Sequence, residues 1–214
     1  MRIVRSSLLA LALGAAAVPV AAVPAAAAPV LLDFEGLSDL EDVTTQFAAD
    51  GIIFGGASAL VSGTLGGSLN EFEFPPSSGD VVIFDAAAGG LTIDFALPVN
   101  FVRARVTYTS RVTMTAFLGA GVMGSASSLF MVNTGSSANA PNEILQLTFA
   151  NPITRLVIAG SPDGGSFTLD DLLVDRVDVK PIPEPATSVL VLLGLGVAGV
   201  RRACARTARR TPPR

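Results

Sequence analysis

The chain has 214 residues, half of them hydrophobic, with 14 basic and 18 acidic side chains, one cysteine, one tyrosine, and neither histidine nor tryptophan. The missing histidine removes the usual general base of serine and cysteine hydrolases and the commonest transition-metal ligand. A single cysteine excludes an intramolecular disulfide, so stability has to come from a packed core.

Charge is unevenly placed. Arg2, Arg5 and six C-terminal arginines hold most of the basic side chains, while between Pro29 and Lys180 six basic residues face seventeen acidic ones. The formal charge of that middle region is −11, against −4 for the whole chain. Such a surface stays soluble, favours divalent cations and repels anionic polymers, so no nucleic-acid partner is expected.

Residues 1–28 read as a secretory signal peptide, with Arg2 and Arg5 as the basic start, Ser7 to Val18 as the apolar core and an alanine-rich stretch after it. The chain is therefore expected to be exported and to meet signal peptidase, with a cut after Ala27 as the favoured position. An uncleaved N-terminal anchor is the alternative.

Residues 29–180 are long enough for one domain with a real core. Short apolar or alternating runs predict strands at Val30 to Glu35, Ile52 to Gly55, Val81 to Phe84, Leu91 to Phe95, Phe101 to Thr109, Val112 to Leu118, Ile144 to Phe149, Arg155 to Ala159, Ser166 to Leu169 and Leu172 to Val179. Breakers such as Asp50-Gly51, Pro75-Pro76, Gly89-Gly90, Asn151-Pro152 and Asp163-Gly164-Gly165 separate them. The fold class this predicts is all-β, a two-sheet antiparallel β-sandwich. In Phe101 to Thr109 the alternation puts Val102, Ala104, Val106 and Tyr108 inside and Arg103 and Arg105 toward water. Ser38 to Ala49 reads as a short helix or a loop, because Ser38 and Glu41 have capping-box spacing. Asn70 to Asp80 is a long connection able to shape a groove, and Ser125 to Asn142 reads as a mobile loop with a short strand at Leu129 to Val132.

Asp33-Phe34-Glu35, Val43 to Phe47 and Gly51 to Phe54 at the start, with Ile153 to Ile158 and Phe167 to Leu172 at the end, are similar to the opening and closing strands of exported bacterial jelly-roll domains. That resemblance implies first and last strands side by side, with a structural calcium held by Glu35 and Asp171 and assisted by Asp33 or Asp170. Carboxylates and carbonyls suit calcium, although no EF-hand-type loop is present. The bland reading of Asp170-Asp171 is a bulge or strand-end pair facing water. Asp33 with Glu35, or Glu71 with Glu73, would supply the two carboxylates of a glycosidase, but solvated strand edges explain both pairs more simply.

The last segment orders its parts as a sorting address: Pro183-Glu184-Pro185, an uncharged run from Ala186 to Val200, then arginines beginning with Arg201 and Arg202. An apolar segment followed by a cationic cluster holds its end on the cytoplasmic side of a membrane. The run is fifteen residues, about 22 Å as a helix against a hydrocarbon core of about 30 Å. It is short for a permanent span. Gly194 to Gly199 fits a dinucleotide-binding glycine pattern, but arginine and proline follow it rather than a helix and an acid. Cys204, among the arginines, reads as incidental rather than acylated.

Residues 181–214 resemble the PEP-CTERM sorting signal of Gram-negative envelope proteins. The resemblance implies recognition of Pro183, Glu184 and Pro185 by an exosortase, transient residence in the inner membrane, and removal of the tail on the way to the cell surface or extracellular matrix. A plain C-terminal anchor is the alternative. The expected function is a non-enzymatic structural or interaction protein; the alternatives are a carbohydrate-binding module with extracellular polysaccharide as partner, or a carboxylate-dependent glycosidase. No cofactor is expected beyond the structural calcium.

Overall fold

The structure, a computed structural model, describes residues 28–176. The signal peptide up to Ala27 and the whole sorting segment, with Pro183, Glu184, Pro185, Arg201 and Arg202, lie outside the described residues. Among the described residues no helix is long and apolar enough to cross a membrane.

Among the described residues ten strands form, and every pairing between them is antiparallel. They are β1 (Val30–Leu32), β2 (Asp42–Val43), β3 (Ile52–Gly55), β4 (Ala57–Val61), β5 (Val81–Asp85), β6 (Leu91–Tyr108), β7 (Thr113–Leu118), β8 (Gly121–Ser127), β9 (Glu143–Ala159) and β10 (Phe167–Arg176). Three of them join runs that the sequence separates. Leu91 to Phe95 continues into Phe101 to Tyr108 as β6, the two runs flanking Asn151-Pro152 are both in β9, and β10 carries both terminal runs.

The breakers act as bends instead of ends. In the β6–β9 ladder the register shifts between Asp94 and Val99 and again before Phe101, with Val99 opposite Ile153. Pro98 and Pro152 thus fall where the ladder is already interrupted, and their missing N–H groups cost little there. The bend also reverses which side chains face in. Leu91, Ile93 and Phe95 are buried before it, whereas Val102, Ala104, Val106 and Tyr108 are buried after it.

Two ladders result, sharing β6 and β9. One runs β2-β4-β5-β10-β6-β9, using the second half of β6 and the first half of β9. The other runs β3-β6-β9-β7-β8, using the first half of β6 and the second half of β9. β1 lies beside Leu172–Val174 of β10, so the first and last strands are neighbours. The inner faces of both ladders make a single core, with Val106, Tyr108 and Leu169 from one and Ile93, Met114 and Ile158 from the other.

Ser38 to Ala49 is not a helix. Glu41 does accept the N–H of Ser38, at 2.9 Å, but the chain then extends through β2, which pairs with Ser58 and Ala57. Gln46 blocks helix propagation by taking the N–H of Thr44 and donating to the carbonyl of Asp42. Phe47 closes a triangle of edge-to-face rings with Phe34 and Phe54, centroids 5.6 to 6.0 Å apart, which pins this loop to β3.

The segment expected as a mobile loop divides in two. Its start belongs to β8, and Leu129 to Val132 forms no strand. The remainder is tied to β6 by Asn133, which is fully buried. Its side-chain oxygen accepts the N–H of Tyr108 at 2.7 Å, and its amide donates to the carbonyls of Val106 (3.0 Å) and Ala140 (3.3 Å). Asn133→Ala removes all three bonds and strands a buried N–H. It should lower stability by about 2–4 kcal/mol in urea unfolding and open residues 134–141 to limited proteolysis; an unchanged midpoint would refute the tie.

Candidate functional site

The acidic residues are the chemistry of this domain, and the structure spends them on main-chain N–H groups. Residues 62–80, between β4 and β5, are held on all sides by carboxylates. Asp39 accepts the N–H groups of Val61 and Ser68 and the Ser68 hydroxyl. Glu71 turns back to the N–H groups of Gly63 and Thr64, at 2.9 and 3.0 Å. Glu73 points the other way and takes the N–H and hydroxyl of Ser136. At that crossing Gly135 leaves no room for a Cβ against the carbonyl of Phe72.

Two sequence-nominated acids grip the far end of the same segment. Glu35 accepts the N–H groups of Asp80 and Val81, at 3.0 Å each for its Oε1. Asp171 accepts the hydroxyls of Ser77 and Ser78, at 2.7 and 2.8 Å, and lies 3.7 Å from Arg105. Asp170, 1% exposed, takes the N–H groups of Ser77 (2.6 Å), Ser78 (3.0 Å) and Asp171 (2.7 Å). Asp33 only accepts the N–H of Glu35, at 3.4 Å. Asp170 and Asp171 do sit in a bulge, where the β10–β6 register shifts and Asp171 takes a positive φ of 48°. They do not both face water: Asp170 is buried where it accepts three N–H groups, while Asp171 is half-buried.

The donor chemistry at Glu35 and Asp171 suits calcium, yet their oxygens are engaged by different parts of residues 77–81. Among the described residues no three His, Cys, Asp or Glu side chains gather as a metal-holding group. Of the two nominated carboxylate pairs, Glu71 and Glu73 bind opposite partners, Gly63 with Thr64 and Ser136, and Asp33 accepts the main-chain N–H of Glu35.

Asp85 was not singled out by sequence. It ends β5 fully buried, and its carboxylate accepts the N–H of Ser166 (2.9 Å), the Ser166 hydroxyl (3.1 Å) and the N–H of Phe167 (3.1 Å). An acid directly after the apolar run Val81 to Phe84, on a strand end that the core covers, was the available signal. Tyr108, which the alternation places inside, donates its hydroxyl to Glu143, which also takes the N–H of Leu129.

The acid-held segment and the strands beside it frame a cavity of about 190 Å³. Leu60, Leu69, Phe74, Phe84 and Phe167 give it an apolar body, while Ser68, Asn70 and Thr168 supply polar groups. No titratable side chain lines it. A wider depression of about 320 Å³ is lined by Asp42, Thr44, Ser58 and the small residues Gly56, Ala57, Ala86 and Ala87. The first has a largely apolar lining; in the second the Ser58 hydroxyl donates to the Asp42 carboxylate at 3.0 Å.

Environment splits the carboxylates into two groups. Burial raises Asp170 from the ordinary 3.8 to about 6, against the pull of its N–H donors, and burial raises Asp85 in the same direction. The half-buried Asp39, Glu41, Glu71 and Glu73 are lowered by the hydrogen bonds they accept, chiefly from Ser68, Ser38, the main chain of Glu71 itself and Ser136 respectively.

Comparison with known proteins locates one feature. Residues 181–210 match the PEP-CTERM protein-sorting motif. The sorting segment read from Pro183, Glu184 and Pro185 and the arginines after them is therefore borne out as that motif. No curated protein matches the chain. Among solved structures, the Stig cyclase FisC from Fischerella sp. TAU aligns over 67% of this chain and 93% of its own at 9% identity and a TM-score of 0.43. The K2 cleaved adhesin domain of Lys-gingipain aligns over 70% and 99% at 12% identity and 0.43. The CBM22-1–GH10 modules of a Clostridium thermocellum xylanase align over 69% and 29% at 14% identity and 0.35. These likenesses are loose and assign no activity.

The two carboxylate groups respond to pH with opposite signs. A folded-state pKa above the unfolded value stabilises fully below the unfolded pKa and loses that contribution as pH rises through the folded one. Asp170 thus contributes below about pH 3.8 and loses its contribution by about pH 6, whereas the four lowered acids contribute above their unfolded values and lose it on further acidification. From pH 4 to pH 7 the native protein should lose about 1–3 kcal/mol more stability than Asp170→Asn. Parallel pH profiles of urea midpoints for the two proteins would contradict the assignment.

Proposed function

We propose that this chain is an exported, exosortase-processed protein of the cell envelope or extracellular matrix, whose β-sandwich has a structural or interaction role. The match of residues 181–210 to the sorting motif carries this reading. The domain ahead of it agrees in character. Its acids tie loops to the sandwich, which suits a structural or interaction role.

A carbohydrate-binding role is the second reading, favoured by the open depression with Asp42, Thr44 and Ser58. Hydroxyls and a carboxylate at an open site suit hydrogen bonding to sugar hydroxyls, although no aromatic side chain lines it. Retention on immobilised polysaccharide that Asp42→Ala abolishes would favour this reading over a purely structural one.

Calcium at Glu35 and Asp171 is part of the proposal. Binding there exchanges hydroxyl and N–H partners at residues 77–81 for the ion. Millimolar calcium should raise Tm by several degrees and a chelator should reverse it, as expected when a ligand binds only the folded state; a Tm indifferent to both rules the ion out.

The primary test is intact mass spectrometry of the protein recovered from its native envelope and medium, beside Glu184→Ala. The native product should end near Pro183, and the variant should keep its arginine tail in the membrane. If both retain the tail there, the segment is an ordinary anchor and the sorting proposal fails.

A further inference from the structure

Among the described residues the sheets have five lateral edges, and four of them are managed; β1, beside β10 alone, is only three residues long. β2 is only two residues long. β3 is covered by the preceding loop, with Phe54 donating to the carbonyl of Thr44 and Ile52 to that of Phe47. The first half of β9, beside the end of β8, begins at a charged residue, Glu143. β8 has none of these protections. It pairs with β7 alone, and among the described residues no residue of Gly121–Ser127 makes a main-chain hydrogen bond outside that ladder. It contains neither proline nor charge. Its one irregularity is the shift that leaves Met123 unpaired, after which Gly124 to Ser127 run in regular register. Open edges of this kind are templates for another strand.

Charge narrows the choice of strand. From Val112 to Asn142 the chain carries no charged residue, although the region from Pro29 to Lys180 has a formal charge of −11. Two copies repel one another over most of their surface, and this uncharged edge is where they approach at least cost. The hydrophobic residues at its two ends are complementary under a two-fold axis. Leu118 and Val122 (64% exposed) stand at the start of β8, and Leu129 (70%) and Met131 stand just beyond its end. Antiparallel pairing brings the start of one copy to the end of the other.

We propose that two copies of this chain associate through β8, edge to edge and antiparallel, extending β3-β6-β9-β7-β8 into one sheet across a two-fold axis. A short edge with four flanking hydrophobic side chains buries less than a standard interface, so the dimer forms and dissociates with concentration.

The two-fold axis sets one residue of β8 opposite its own copy, with Cβ atoms about 4.5–5.5 Å apart, within reach of a disulfide after small adjustment. The test uses the full chain with Cys204→Ser, carrying Gly124→Cys, Ser125→Cys or Ala126→Cys singly and oxidised with copper phenanthroline. One of the three should give a covalent dimer at least tenfold more abundant than Leu40→Cys, an exposed control on the turn before β2. Adding Val122→Lys, which alters a solvent-exposed side chain, should reduce that dimer at least tenfold while the circular dichroism spectrum stays native. Equal cross-linking by all positions, none by any β8 position, cross-links to a different protein, or indifference to Val122→Lys would each overturn the proposal. The readout does not depend on tail processing, so it stands or falls separately from the sorting proposal.

Discussion

The pairing of Leu91–Tyr108 with Glu143–Ala159 is the constraint on which the domain depends. These are the two longest strands among the described residues, and they bend together where Val99 faces Ile153. Each therefore serves two ladders, and each changes the parity of its buried side chains at the bend. Three strands join this pair directly, β3 and β7 on the segments that make one ladder and β10 on the segment that makes the other, and the remaining strands attach through β10, β5, β4 or β7. Continuous main-chain pairing through the corner keeps both inner faces turned on one core, which a loop connection would not enforce.

Polar energetics follow a second rule. With no histidine and few basic residues in the domain, its carboxylates cannot be matched mainly by ion pairs, and they find main-chain N–H groups and hydroxyls instead. Glu35, Asp39, Glu71, Glu73, Asp170 and Asp171 between them hold residues 62–80 against the sandwich. A carboxylate accepting several N–H bonds satisfies donors that an irregular segment would otherwise leave unpaired. The long connection is thereby shaped into a wall over Phe84 and Phe167, and the cavity beneath it exists because the loop is tied from outside.

Much of this fold was legible because a two-residue period survives in isolated runs. The inward set Val102, Ala104, Val106 and Tyr108 and the strand Ile52–Gly55 follow directly from alternation. β4 and β8 were missed because Ala57–Val61 and Gly121–Ser127 are built largely from alanine, glycine and serine, whose strand preference is weak and whose pairing is supplied by neighbours. Asn151-Pro152 read as an end because proline lacks a donor; only the partner strand, irregular at the same level, makes that loss harmless. The acids of residues 33–42 and 71–73 were visible, but their partners lie up to 63 positions away, beyond any local pattern.

By itself the sequence determined the all-β class, the acidic middle region and the sorting motif at residues 181–210, because composition, short-range period and a linear address need no neighbours to be read. Tertiary structure alone decided which carboxylates serve as loop ties, that Asp85 and Asp170 are buried, and that β8 is left open at an edge. Those properties depend on what the rest of the chain places beside each residue, and burial and hydrogen-bond partnership are relations between distant segments rather than attributes of a residue.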